Sequence, residues 1–489
     1  MAEATAERKL KSRLDRFFRI SERGSTPGRE VRGGLVTFVT MAYIIVLNPL
    51  ILGSFSEGPG ANADATGAIL PVPQVAAVTA LVAGVLTILM GVVANYPFAL
   101  AAGLGINALV AVNIAPQMTW PAAMGLVMVN GIVVLLLVVT GVRKIVFNAV
   151  PAQLKAGIAV GIGLFISLIG LVDAGFVRRI PDAAGTTVPV ELGIGGSIAS
   201  WPTAVFVVGL VIMGVLVARN VKGAILIGVV AATVLSIIVE AVAGVGPSGG
   251  TDPKGWNLGY PALPEDVIGL PDLSLLGQVS FDAWVQVPAL TAALFVFTLV
   301  LTDFFDTIGT MTGLGRQAGL VNRDGQLPNV GKTLFVDSLG AIAGGAASAS
   351  SNTVYIESAS GIAEGARTGL ANVVTGLLFI AAMFFTPLYE VVPIEAAAPA
   401  LVVVGALMIR QVADIDFRDF SVALPAFLTI VVMPFTYSIA NGIGAGFVSY
   451  VLIQAATGHA RRVHPLMWVV SATFIVYFGL GPIREALGG

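Results

Sequence analysis

The sequence predicts an all-α polytopic membrane protein with fourteen spans, arranged as seven plus seven in opposite senses. Three observations predict it: an apolar composition, apolar runs of membrane-crossing length, and an uneven distribution of Lys and Arg between the turns. The 489 residues are 56% hydrophobic and 11% charged, with a mean hydropathy of +0.92. A soluble domain needs roughly a quarter of its residues charged to cover its surface. The apolar runs reach about 17 to 25 residues, which is what a helix needs to cross a bilayer. The 58 Gly and 26 Pro would be odd in soluble helices, but small residues and helix breaks are tolerated in membrane bundles. There is no cysteine, which excludes disulfides, thiol chemistry and thiolate metal sites. The net charge of −2 identifies no partner, and neither a cofactor nor a nucleic-acid partner is expected; the lipid bilayer is.

The first 32 residues hold nine Lys/Arg against five Asp/Glu and lead directly into apolar 33–55. A signal peptide would have a shorter apolar core and a small-residue cleavage site, so 1–32 reads as a cytoplasmic tail. Spans are expected near 33–55, 74–94, 97–115, 120–140, 152–174, 201–218 and 221–244. After a polar stretch, 245–287, seven more are expected near 288–312, 331–347, 349–364, 366–386, 397–411, 420–437 and 439–457. A further apolar piece, 464–482, reads as an extra span or an interfacial segment.

Cytoplasmic turns carry excess Lys and Arg. With the N-terminus inside, Arg143/Lys144, Arg219/Lys222, Arg316/Arg323/Lys332, Arg410/Arg418 and Arg461/Arg462 all fall inside. The first external loop, 56–73, has no Lys or Arg, and 245–287 has Lys254 alone against five acids. Arg178 and Arg179 are the exception, since the map puts them outside.

Seven spans per half is odd, so the second half enters the membrane in the opposite sense, as in an inverted repeat. The junction Val217–Ala224 echoes Tyr437–Gly444 in style. The third span of each half is broken. Residues 95–107 open with Pro97 and contain Gly103 and Gly105, while 348–358 is polar and β-prone before it becomes helical. Backbone leaves the helix at membrane depth only where protein or a water-filled cavity satisfies its polar groups, and paired broken segments point to a transporter's midplane site.

Carboxylates inside spans are costly and functional by default. Asp303 and Asp306 stand three apart in the eighth span and share a helix face. Glu357 sits where the tenth span turns from extended chain to helix. Acids without a cationic partner suit two tasks: accepting hydrogen bonds from a ligand rich in N–H groups, and taking up protons. Asp306 competes with a plainer role as a cap or as the partner of a distant Lys. Asp337, near Lys332, suits a structural or interfacial role, and Glu364 and Arg367 mark a helix end. The segment Gly313-Leu314-Gly315 lacks a surrounding βαβ unit. The pairs Gly157/Gly161, Gly340/Gly344 and Gly442/Gly446 suit internal helix contacts better than dimer faces. His459 and His464 lack a third ligand for a metal.

The stretch Phe17–Ile20 through Arg29–Tyr43, followed by Asn48-Pro49, resembles the opening of the adenine/guanine/hypoxanthine permeases. These are a branch of the nucleobase–ascorbate transporter superfamily. The resemblance continues through Gly103–Ala108, Asp303–Thr310, Tyr355–Ile362 and Met433–Gly442. It implies a core domain of spans 1–4 and 8–11 (33–140 and 288–386) and a gate domain of spans 5–7 and 12–14 (141–244 and 387–489). It also implies that the third and tenth spans begin as short antiparallel strands. Asn107, Asp303 and Glu357 match the family's substrate residues, and Asp306 matches a second acid with a role in transport or folding. The resemblance further implies proton symport of purine nucleobases in the plasma (inner) membrane, and a homodimer formed through the gate. The alternatives are a transporter of the same architecture for uracil, xanthine or an inorganic anion, a passive channel, or an intramembrane aspartyl protease. The protease is disfavoured because Asp303 and Asp306 lie on one helix.

Overall fold

The computed structural model describes residues 13–53, 62–141, 149–179, 190–248, 254–257, 260–262, 266–321, 327–328 and 330–479. Arg143, Lys144 and Arg323, used above to orient the chain, lie outside the described residues.

The chain opens with α1 (Arg13–Phe18), which lies against the bundle: Asn95 Nδ2 donates to Phe18 O at 2.8 Å. The first span is two helices, α2 (Pro27–Met41) and α3 (Ile44–Leu52), broken at Ala42-Tyr43, and Thr26 caps α2 by accepting from Arg29 N–H. Next come α4 (Val72–Val93), strand β1 (Leu100–Ala102) and the half-helix α5 (Leu104–Leu109). A π turn and a 3₁₀ turn carry α5 on to Gln117, where α6 (Trp120–Val139) begins. After α7 (Ala152–Asp173) a hairpin of β2 (Val177–Arg179) and β3 (Val190–Leu192) precedes α8 (Trp201–Ala218) and α9 (Ala224–Ala243).

The later part follows the same order of elements. A one-turn helix α10 (Ala283–Gln286) leads into α11 (Ala289–Gln317) and α12 (Val330–Ala346). Strand β4 (Asn352–Val354) and half-helix α13 (Ser358–Ala363) follow, then α14 (Gly369–Ala382) and the short α15 (Pro387–Glu390). The chain ends in α16 (Ile394–Met408), α17 (Phe420–Phe435), α18 (Ile439–Ala456) and α19 (Pro465–Phe478).

Among the described residues, eight helices are long and apolar enough to cross a membrane, and five shorter apolar helices accompany them. The chain is a multi-pass membrane protein. α4, α6, α7, α8 and α9 begin and end within three residues of the expected apolar runs, as run length sets them. The first span instead starts at Pro27, inside the expected tail 1–32, and the broken spans become helical only at Leu104 and Ser358. The segment 464–482 is helical through Phe478, and 480–482 lies outside the described residues. At 14 residues, α19 spans about 21 Å, less than the hydrocarbon thickness. It packs through Phe474, whose ring is 6.4 Å from Phe447 on α18 and 6.1 Å from Phe297 on α11.

Packing partners recur between the halves. α4 lies along α14 as α6 lies along α12, and α8 meets α9 as α17 meets α18, while α7 and α16 pack on each other. The two helical turns also match, but in a different register from the expected one. Asn220 and Tyr437 both adopt left-handed φ. Val221 N–H donates to Leu216 O at 2.9 Å, and Ser438 N–H to Met433 O at 3.0 Å. Asn220 therefore corresponds to Tyr437, because backbone geometry rather than residue identity is what repeats. The β2–β3 pair adds strands outside the broken spans, and Arg178 and Arg179 stand on β2.

The described part of the 245–287 connection is tied down at several places. Trp256, 1% exposed, donates from Nε1 to Glu240 Oε2 at 2.8 Å, and Asn257 N–H reaches Glu395 Oε1 at 2.9 Å. Further on, Gly277 N–H donates to Ala346 O at 2.7 Å and Ser280 N–H to Pro121 O at 2.9 Å.

Candidate functional site

The two broken segments meet. β1 and β4 pair antiparallel with Leu100 opposite Val354, Ala101 opposite Thr353 and Ala102 opposite Asn352, all buried. The ladder extends through Gly103 N–H to Ser351 O and Tyr355 N–H to Ala99 O, each 2.9 Å. Extended backbone this deep needs its polar groups satisfied by protein, and pairing the two breaks does so. Room for β4 comes from Gly340 and Gly344 on α12. A Cβ on either would strike the carbonyl of Asn352 or of Ser350, so this GxxxG pair is an internal contact.

Each strand delivers a half-helix whose first residues carry the expected site. Asn107, on α5, is fully buried, and its Nδ2 donates to Asn48 Oδ1 at 2.5 Å. Asn48 is held in turn by donating to Thr79 Oγ1 at 2.7 Å and Ala349 O at 3.2 Å. Among the described residues Asn107 Oδ1 has no partner.

Asp303, on α11, is 2% exposed. Its Oδ2 accepts from Asn130 Nδ2 at 2.8 Å and from Ser351 Oγ at 3.0 Å. Both donors engage one oxygen, and among the described residues Oδ1 has no partner. Glu357 is half-buried at the N-terminal end of α13. Its Oε1 accepts from the Tyr43 hydroxyl at 2.6 Å. Asp306 lies one turn further along α11, and its side chain is outside the described residues. Asp337 accepts from Thr307 Oγ1 at 3.0 Å inside the bundle, a structural contact between α12 and α11.

Asp303, Asn107 and Glu357 thus belong to elements that converge on the strand crossing. Each is fixed through part of its side chain, and Asp303 and Asn107 keep a free acceptor. Among the described residues Thr302 Oγ1 and Asn130 Oδ1 are also buried without partners. An unpaired buried polar atom costs about 1–3 kcal/mol, so this concentration of acceptors suits a ligand that brings N–H donors. Two apolar cavities of about 280 and 340 Å³ lie elsewhere, the first between α6, α11, α18 and α19, and neither is lined by the three site residues. Among the described residues, no three His, Cys, Asp or Glu side chains are grouped to hold a metal.

Tyr43, Asn48, Asn130 and Ser351 were not singled out by the sequence reading. Asn130 carried a usable signal, being a lone amide in the apolar run of α6, where such a residue needs a buried partner.

The bundle and its paired broken spans are those of a multi-pass membrane protein, and the family and relatives that match it are permeases, not enzymes. The family described as "Permease family" matches residues 28–445. The chain is 36% identical to the guanine/hypoxanthine permease PbuG of Bacillus subtilis over 469 residues, covering 94% of this chain and 98% of that one. It is 35% identical to the adenine permease AdeQ of Escherichia coli, covering 94% and 95%. In fold it is similar to the transmembrane domain of a cyanobacterium bicarbonate transporter, BicA, with a TM-score of 0.57 at 16% identity, covering 86% of this chain and 96% of that one. The chain belongs to the adenine/guanine/hypoxanthine permease family.

Proposed function

We propose that the protein imports purine nucleobases (adenine, guanine or hypoxanthine) by proton symport. The observation that carries this reading is the set of buried, partner-poor acceptors on Asp303 and Asn107, with Glu357 beside the strand crossing. A purine offers ring and exocyclic N–H groups to such acceptors. In this reading Asp303 and Glu357 accept ring N–H bonds, Asn107 supplies an amide, and Asp303, Glu357 or Asp306 takes up the coupling proton. The guanine/hypoxanthine permease PbuG and the adenine permease AdeQ, at 36% and 35% identity over nearly the whole chain, support the cargo class.

The recurring helix pairs and matching turns support fourteen spans in a seven-plus-seven inverted repeat. The core comprises α2–α6 and α11–α14 with both strands; the gate comprises α7–α9 and α16–α18, with α19 attached. Cargo crosses by an elevator-like movement of core against gate. The protein works as a gate-mediated homodimer in the plasma (inner) membrane, with its N-terminus in the cytoplasm.

The test is uptake of labelled hypoxanthine by cells lacking their own purine permeases. Accumulation that is abolished by a protonophore and by Glu357→Gln at equal expression is the expected outcome. Absence of accumulation above background by the wild type would sink the cargo assignment, and uracil, xanthine and anions would then be screened on the same fold.

A further inference from the structure

Glu364 ends α13 on the core, and its carboxylate is where two ion pairs meet. Oε2 lies 2.7 Å from Arg32 Nε, and Oε1 pairs with Lys222 Nζ. Arg32 stands on α2, whereas Lys222 stands on the turn between α8 and α9. The first pair lies within one rigid group. α2 and α13 cross backbone to backbone at Gly33 and Gly361, where a Cβ on either would meet the carbonyl of the other. Arg32 Nη2 also donates to Glu364 O at 3.2 Å. The second pair joins core to gate. Gly223, the residue after Lys222, sits close against Val39 of α2 with left-handed φ, so the gate turn presses directly on the core helix.

The opposite end of the interface carries a related contact. Asn113, beyond α5, donates from Nδ2 to Tyr437 O at 2.8 Å, and Tyr437 is the turn residue equivalent to Asn220. Each turn therefore touches the end of a broken span on the core, once through a neutral amide and once through a charge network. The Glu364 side chain is 15% exposed and that of Lys222 is 50% exposed, so the carboxylate is shielded while its gate partner is free to leave into water.

We propose that Lys222–Glu364 is a releasable latch between gate and core, with Arg32 as the partner that stays with the carboxylate when the gate parts. This rests on the core-against-gate movement inferred above. A contact made in one state only shifts the populations by its own free energy. The charged end therefore biases the protein toward the conformation closed at the Lys222 face, and the neutral Asn113 end biases it less. Salt weakens the latch, because Lys222 is half exposed.

Because the chain has no cysteine, spin labels can be placed cleanly at Arg219→Cys on the gate and Lys332→Cys on the core, and their separation measured by pulsed electron resonance. In this background Lys222→Gln and Glu364→Gln are expected to raise the ratio of long to short separations about threefold, the range of a partly exposed ion pair. High salt should do the same to the otherwise unchanged protein, and Lys222→Arg should leave it alone. If hypoxanthine shifts the distribution while Lys222→Gln and salt leave it unchanged, the latch is wrong and the movement survives. A single fixed separation under every condition overturns the latch together with the movement. A shift with Lys222→Gln but none with hypoxanthine upholds the latch and counts against the purine reading.

Discussion

The hydroxyl of Tyr43 lies 2.6 Å from Glu357 Oε1, linking the break between α2 and α3 to the start of α13. The residue at the break between α2 and α3 therefore orients the acid at the start of α13.

Glu357→Gln is expected to bring purine uptake to background, since the amide offers one acceptor fewer and cannot carry the proton. Tyr43→Phe keeps the acid and loses its orientation. It should weaken apparent cargo affinity about tenfold, the scale of one hydrogen bond to a charged group. Concentration-dependent uptake by the two variants separates these outcomes; equal and complete loss in both would remove the distinction between an acting and an orienting residue.

Asn130 and Ser351 donate to the same oxygen of Asp303, so their effects are expected to be coupled. Asn130→Ala and Ser351→Ala should each weaken hypoxanthine binding about tenfold. The double variant should depart from additivity by more than about 0.5 kcal/mol, as side chains sharing a partner do. Calorimetric binding to purified protein would measure it, and strict additivity would mean that the two donors do not act through one carboxylate.

Gly361 lies against Thr37 and Gly33 with no room for a side chain. Gly361→Val is expected to force α2 and α13 apart and cost about 1–3 kcal/mol, the usual range for overpacking. A lowered unfolding temperature in detergent, together with lost uptake, is the expected result; unchanged stability would show that the crossing yields more readily than its geometry implies.

Asp64 precedes α4, outside the spans, and caps α6 at a distance in sequence. Its Oδ2 accepts from Trp120 N–H at 2.9 Å, while Oδ1 accepts from Thr66 N–H, Thr66 Oγ1 and Ala68 N–H. Burial acts to raise its pKa, but these hydrogen bonds outweigh it and hold the carboxyl below its usual range. Its contribution to stability is therefore fully present above the unfolded value of about 4 and is lost as pH falls through the lower folded value. Asp64→Asn should be less stable than wild type at pH 7, and the gap should close toward pH 3 in thermal unfolding followed by tryptophan fluorescence. A gap independent of pH would disprove the ionised cap.

Helix positions were legible because an apolar run must match the bilayer, and α6, predicted at 120–140, spans Trp120–Val139. The breaks were legible because Pro97, Gly103 and Gly105 in one segment and the polar 348–353 in the other contradict a continuous helix. The partners were not legible. The contact of Asn130 with Asp303 spans 173 positions, and nothing local to either residue announces it. The turn correspondence was missed by three positions because Asn220 and Tyr437 share a backbone conformation and no side-chain chemistry. The docking of the N-terminal segment through Phe18 and Asn95 was hidden for a different reason: a basic stretch reads as solvated until its carbonyls find donors.

The ladder between β1 and β4 pairs three residues of each strand. Two strands this short do not hold together in isolation; they stay paired because the surrounding helices leave no other position for them. If cargo binds at this crossing, as proposed, its recognition is a loan from the bundle's packing and has no independent melting point. A harsh detergent that loosens the contacts of α4 and α12 should erase ligand binding while circular dichroism still reports an intact helical protein. For anyone purifying this permease, retained helicity is no assurance of a working site.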